Sequence, residues 1–157
     1  DHPVEGEIIA RNILNRLKAP KKTAERVSAL VKWHMYDLDG KTSEHKLRRF
    51  FVTHYDLMDD LLALKQADFS ACMDDMRTAP TCVRWRAVLD TMQKTGVPFT
   101  LKGLAVKGDD LLALGVPPKD VSALLHALLM HTACYPAENE KTRLLQLAAG
   151  MKKGLPE

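Results

Sequence analysis

The stretch at 99–130, FTLKGLAVKGDDLLALGVPPKDVSALLHALLM, leaves a chain little choice of local structure. It reads as an extended lead-in, a short helix at 109–114, a glycine stop, two prolines and a long amphipathic helix. Gly115 stands where the short helix needs a left-handed terminator, a conformation that a Cβ would oppose. Pro117 and Pro118 cannot continue that helix, but a proline can open the next, where a missing N–H costs nothing. Asp120 then suits the positive end of the helix dipole. Val121, Leu124, Leu125, Leu128 and Leu129 recur at the spacing that puts them on one helical face.

The rest of the chain is punctuated in the same way. A helix is expected over 4–17, with Ile9, Ile13 and Leu17 on one face, ended by Lys18-Ala19-Pro20. A second, over 22–35, carries Val27, Leu30, Val31 and His34. Asp39-Gly40 marks a turn. A third, over 44–54, has the stripe Leu47, Phe50 and Phe51, with Ser43 as its expected cap. A fourth runs from 56 to about 76 with Leu57, Leu61, Leu64 and Ala71, and Asp56 as its expected cap. A fifth spans 82–94 with Val88, Leu89 and Met92. A last helix before 152 carries Leu144, Leu145, Leu147 and Ala148. The one strand candidate is 99–106. The pattern predicts an all-α bundle of about seven to eight helices in two small lobes, 1–95 and 96–157, divided at Gly96-Val97-Pro98. A chain of 157 residues can bury one ordinary core or two small lobes.

Three cysteines, Cys72, Cys82 and Cys134, have no metal-type spacing and suit reduced thiols in a cytoplasmic protein. No apolar run approaches the ~20 residues that span a bilayer, so no membrane association is expected. The chain starts at Asp1-His2-Pro3, without an initiator methionine, and is expected to be a piece of something longer.

Gly108, Asp110, Leu111, Gly115 and Val116, followed by a proline and an amphipathic helix, resemble the tail of bacterial CCA-adding enzymes, the tRNA nucleotidyltransferase and poly(A) polymerase family. Asn139-Glu140 and Leu144-Leu145 fit the same pattern. The segment HPVEGEIIARNILNRLKAPKKTAERVSALVKWHM resembles the back half of the HD-type helical region of those enzymes. The chain departs from the family at Pro118-Lys119 and Val121-Ser122, where glycine-proline and isoleucine-glycine are frequent. The resemblance implies the end of an HD-like body over 1–95 and a helical tail over 96–157. It also implies tRNA as partner, held by its acceptor and T arms. The catalytic head, with its magnesium, ATP and CTP, would lie outside this chain, which alone would be inactive and hold no cofactor.

The residues agree that the head is missing. Nucleotide addition needs paired carboxylates that hold metal ions at the attacking and leaving oxygens. There is no Gly-Ser dipeptide here and no strand bearing an Asp-x-Asp pair. Asp37-Leu38-Asp39 has the spacing but sits beside Gly40, in a turn. Asp59-Asp60, Asp74-Asp75 and Asp109-Asp110 are adjacent on helices, so their carboxylates diverge. Phosphate-loop glycine motifs are absent. Asp1-His2 reads as an HD doublet, and His2, His34 and His54 form an alternative metal set for an HD-type phosphohydrolase. The resemblance instead matches His2 to a later histidine of the HD region.

Net charge is only +3, but it is segregated. Residues 11–49 hold eleven Lys/Arg against four Asp/Glu, and 56–77 hold two against six, a distribution that can steer a polyanion to one face. The candidate RNA contacts are Lys21, Lys22 and Arg26 at the second helix, Lys46, Arg48 and Arg49 on the third, and Lys102, Lys107 and Lys119 around the glycine stop. Phosphates are bound by such cations and by free N–H groups at helix starts. Aromatic content is 6%, with no ring interleaved among these cations, so base stacking is not expected as the main mode of recognition. A third reading makes the leucine-rich faces an interface between copies of a helical oligomerisation module.

Overall fold

The computed structural model describes residues 2–74 and 76–152; of His2, Pro3 and Lys152 only the backbone is described. Eight α-helices occur among the described residues, and no strand. They are α1 (His2–Arg16), α2 (Lys21–Trp33), α3 (Glu44–Thr53), α4 (Met58–Met73), α5 (Pro80–Lys94), α6 (Gly108–Ala113), α7 (Pro118–Cys134) and α8 (Lys141–Lys152). The strand candidate at 99–106 folds instead around a single 3₁₀ turn, Leu101–Gly103, with Leu104 and Val106 buried.

The helix ends follow the punctuation. Gly115 has φ +79°. Its N–H donates to Leu112 O and the Val116 N–H to Leu111 O, which closes α6 as a left-handed cap. Gly96 closes α5 the same way, through bonds to Gln93 O and Met92 O. Lys18, also at positive φ, closes α1, through Asn15 O and Leu14 O. Asp56 does not cap the fourth helix: it lies in a 3₁₀ turn, Tyr55–Leu57, from which α4 continues.

The chain divides into two units, and the division does not follow the sequence simply. Unit 1 is Asp1–Thr42 with His54–Ala87, and unit 2 is Ser43–Thr53 with Val88–Glu157. In unit 1, α1 packs along α2, and α2 against α4. Buried side chains there include Leu57, Met58, Leu61, Leu62, Cys82 and Trp85. The Ile9, Ile13 and Leu17 stripe of α1 is exposed, as are Val4 and Ile8.

Unit 1 is tied together by a buried polar network. The Asp37 carboxylate has no solvent exposure. It accepts from Thr42 N at 2.8 Å, Trp85 Nε1 at 2.9 Å and Arg84 Nη1 at 2.8 Å. Lys65, 4% exposed, donates to His34 O at 3.0 Å and Tyr36 O at 2.7 Å. Its ammonium also lies 4.7 Å from the centre of the Trp85 ring. Burial pushes the Lys65 pKa down, and Cys82, then the Asp37 and Asp68 carboxylates, oppose that.

In unit 2, α7 is the central element: α3, α6, α8 and the 101–103 turn all pack on it. Leu124, Leu128, Leu129, Thr132, Ala133 and Cys134 are buried on α7, Leu47, Phe50, Phe51 and Val52 on α3, and Leu144 and Ala148 on α8. The residues behind the family resemblance have structural work here. The Asp110 carboxylate accepts from the Lys107 N–H at 2.8 Å and pairs with Lys141. Leu111 and Val116 are core. Asn139 donates to Gly103 O at 2.9 Å and accepts from Ala105 N at 3.0 Å, so it fixes the turn before α6.

Candidate nucleic-acid interface

The nine candidate cations divide by unit and by occupation. In unit 1, Pro20 precedes α2, whose first turn has no acidic residue and no side-chain cap. Lys21 pairs only loosely with Glu25, at 3.8 Å, with both side chains well exposed. Lys22 is exposed and pairs with no described residue. Arg26 is committed to its own unit: Nε lies 2.7 Å from Asp60 Oδ2, and Nη2 donates to Asp56 O at 3.1 Å.

In unit 2, Lys46, Arg48 and Arg49 lie within one turn of α3 but point in different directions around it. Lys46 and Arg49 are exposed on α3 and pair with no described residue. Arg48 is only 9% exposed and turns inward. It bonds Glu44 through Nε at 2.8 Å and Nη2 at 2.7 Å, and Nη1 donates to Ala133 O at 3.4 Å. Lys102 and Lys119 are exposed and unpaired among the described residues. The Lys107 ammonium folds back onto Lys102 O at 2.9 Å and Leu104 O at 3.1 Å. Five cations are therefore available to solvent anions without breaking a contact: Lys22, Lys46, Arg49, Lys102 and Lys119. Lys21 joins them at the cost of one weak pair.

The other candidate constellations are placed as follows. His34 Nδ1 lies 2.7 Å from Val31 O. The His54 ring packs against Trp33, 4.8 Å between centres and tilted by 47°, and burial lowers its pKa. Asp1 and the His2 side chain lie outside the described residues, as does Asp75. Among the described residues, no group of three or more His, Cys, Asp or Glu side chains is placed to hold a metal ion. Asp37 of the Asp-x-Asp spacing is engaged by Thr42, Trp85 and Arg84. Asp60 and Asp110 are engaged by Arg26 and Lys141, and Asp74 terminates α4 in a left-handed conformation. The three cysteines are free thiols, Cys72 exposed and the other two buried.

The structure also assembles a ring cluster that no local pattern announces. Tyr135, the residue ending α7, is 45% exposed. The His131 ring lies 4.9 Å from it, centre to centre, and the His45 ring 5.5 Å. His131 Nε2 is 2.7 Å from Glu138 Oε2, and Arg143 Nη2 is 3.2 Å from Glu138 Oε1. Those two partners hold the Glu138 carboxyl below its ordinary pKa, His131 most. His45 is ninety residues from Tyr135 in the chain, so only the packing of α3 on α7 brings them together.

Fold and surface define an all-α chain that exposes unpaired cations on each of its two units, with no helix of the described residues long and apolar enough to cross a membrane. A 68-residue stretch is 46% identical to the CC-adding tRNA nucleotidyltransferase of Thermus thermophilus. The match covers 43% of this chain and 15% of that protein, so the chain corresponds to a small part of its relative. Over that stretch the chain is related to a tRNA nucleotidyltransferase. No family model matches it, and no solved structure matches it.

Proposed function

We propose that this chain is the C-terminal part of a tRNA nucleotidyltransferase, 1–95 closing an HD-like helical body and 96–157 forming the tail. In this reading it is a cytoplasmic RNA-holding module that grips the acceptor and T arms of tRNA. The single observation that carries it is the 46% identity to a CC-adding tRNA nucleotidyltransferase. The free cations support it: Lys22 at the uncapped start of α2, Lys46 and Arg49 on α3, Lys102 before α6, and Lys119 in the first turn of α7. Each can meet a phosphate through a flexible stem, and the N–H groups opening α2, whose first turn holds no acidic residue, favour negative charge beside Lys22. A backbone grip of this kind follows shape and charge, not sequence. Magnesium, ATP and CTP belong to a catalytic head outside these residues. That head also decides between CC, CCA, A-only and poly(A) addition.

The test uses tRNA lacking its 3′ end, CTP, ATP and magnesium. The chain alone adds no nucleotide, yet competes with a tRNA nucleotidyltransferase for that tRNA and slows addition. Addition by the chain alone would overturn the division of labour. Failure to compete at any concentration would overturn the RNA grip.

A second reading has one specific support, the exposed Ile8, Ile9, Ile13 and Leu17 of α1. Ile9, Ile13 and Leu17 share one side of the helix, and an exposed apolar stripe of this kind suits a protein contact. If it joins copies of this chain, light scattering after gel filtration gives a dimer, and Ile9→Glu with Ile13→Glu returns a monomer. A wild-type monomer removes that reading.

A further inference from the structure

Tyr135 is the exposed member of three rings, and its surroundings hold it still. The Tyr135 N–H donates to His131 O at the end of α7. The His131 ring is tilted 35° to the phenol ring and is fixed at its far nitrogen by Glu138, itself braced by Arg143. The His45 ring meets the phenol edge-on, at 71°. The start of α3 that carries His45 is tied to α7 by Cys134 Sγ, 3.7 Å from His45 O. A ring nearly half exposed yet pinned on two sides loses little freedom when another flat group covers it.

The neighbouring charge has the matching chemistry. Arg49 stands four residues after His45, on the same face of α3 one turn along. It is exposed and pairs with no described residue. An aromatic ring, with an unengaged arginine one helical turn from the His45 that packs on it, suits a nucleotide, the base on the ring and the phosphate on the arginine. A partly unstacked base is what a folded RNA offers and a continuous duplex does not. We propose that Tyr135, flanked by His45 and His131, is a stacking platform for one unpaired base of a bound RNA, with Arg49 taking an adjoining phosphate. This rests on the RNA-holding reading above and adds to it a contact that does not depend on salt.

The experiment compares wild type, Tyr135→Phe, Tyr135→Ala and Arg49→Gln on two probes, a tRNA transcript and a blunt, fully paired RNA duplex. Tyr135→Phe binds both as wild type does. Tyr135→Ala binds the tRNA about tenfold more weakly with an unchanged salt slope. It leaves duplex binding unaltered. Arg49→Gln weakens both and makes the salt slope shallower by about one. Should Tyr135→Ala not fold, photocrosslinking of 4-thiouridine-substituted tRNA to the unaltered chain replaces it. An adduct on Tyr135 or His45 then supports the platform, and adducts only elsewhere overturn it. Equal tRNA affinity for wild type and Tyr135→Ala removes the platform and leaves the RNA grip standing. Wild type that binds neither probe removes both.

Discussion

Asp37→Ala is expected to lower the unfolding free energy by about 3–5 kcal/mol, the range for breaking one side of a buried charged network. The carboxylate has no exposure and gathers the Trp85 indole, the Arg84 guanidinium and the Thr42 N–H. Alanine leaves the Trp85 N–H, on a fully buried side chain, without an acceptor. It also places a Cβ residue without a turn-forming side chain at φ +58°, which adds about 1 kcal/mol. Total stabilities are commonly ~5–15 kcal/mol, so unit 1 would unfold under mild conditions. Asp37→Asn keeps the left-handed preference and some of the hydrogen bonding, and falls between. Urea unfolding followed by Trp fluorescence reads the effect; a loss below about 1 kcal/mol would show that the network is dispensable.

The same residue sets an acid limit. Burial pushes the Asp37 carboxyl up, but bonds from Trp85 and Thr42, with the charge of Arg84, outweigh it and hold the pKa below the ordinary value. The unfolded chain therefore takes up the proton more readily. The stabilisation is whole above the ordinary carboxylate range of ~4 and is lost as pH falls through the folded value. His54 acts in the same sense higher up. Burial lowers its pKa, so its contribution begins to fail below ~6.5. Stability should fall in two steps on acidification, and Asp37→Asn should flatten the lower one.

Replacing Lys22, Lys46, Arg49, Lys102 and Lys119 together with alanine is expected to weaken tRNA binding on the order of 100-fold at moderate salt, with helix content unchanged. These five engage no described partner, so their loss takes nothing from the fold. Arg48→Ala makes the contrast. It removes the bonds to Glu44 and Ala133 O and should cost stability, not direct phosphate contact. If the five-fold variant bound tRNA as tightly as wild type, the grip would have to lie on other residues.

Much of the helix map was legible because its signals are local. Gly115, the paired prolines and the Leu124-Leu128 spacing act within one or two turns, and α6 and α7 follow them. What periodicity leaves open is which face is covered. Ile9, Ile13 and Leu17 share a spacing with core residues, yet α1 shows them to solvent. Three basic residues within four positions carry no phase of their own, so the inward turn of Arg48 needed the position of Ala133. Trp85, Lys65 and Asp37 form a network across as many as forty-eight residues, and His45 meets Tyr135 across ninety. Chain separation hides both. The Asp110, Gly115 and Asn139 pattern behind the family resemblance specifies a turn and two caps. That pattern therefore specifies local turns and helix ends, while the exposed cations lie in less patterned residues.

The most direct test is the affinity of this chain for tRNA lacking its 3′ end, measured between ~50 and ~200 mM salt. With five free cations on phosphates, affinity should drop on the order of 100-fold across that range, and a tRNA of unrelated sequence should give the same curve. Binding that holds steady with salt, or that singles out one sequence, would contradict a grip on the phosphate backbone.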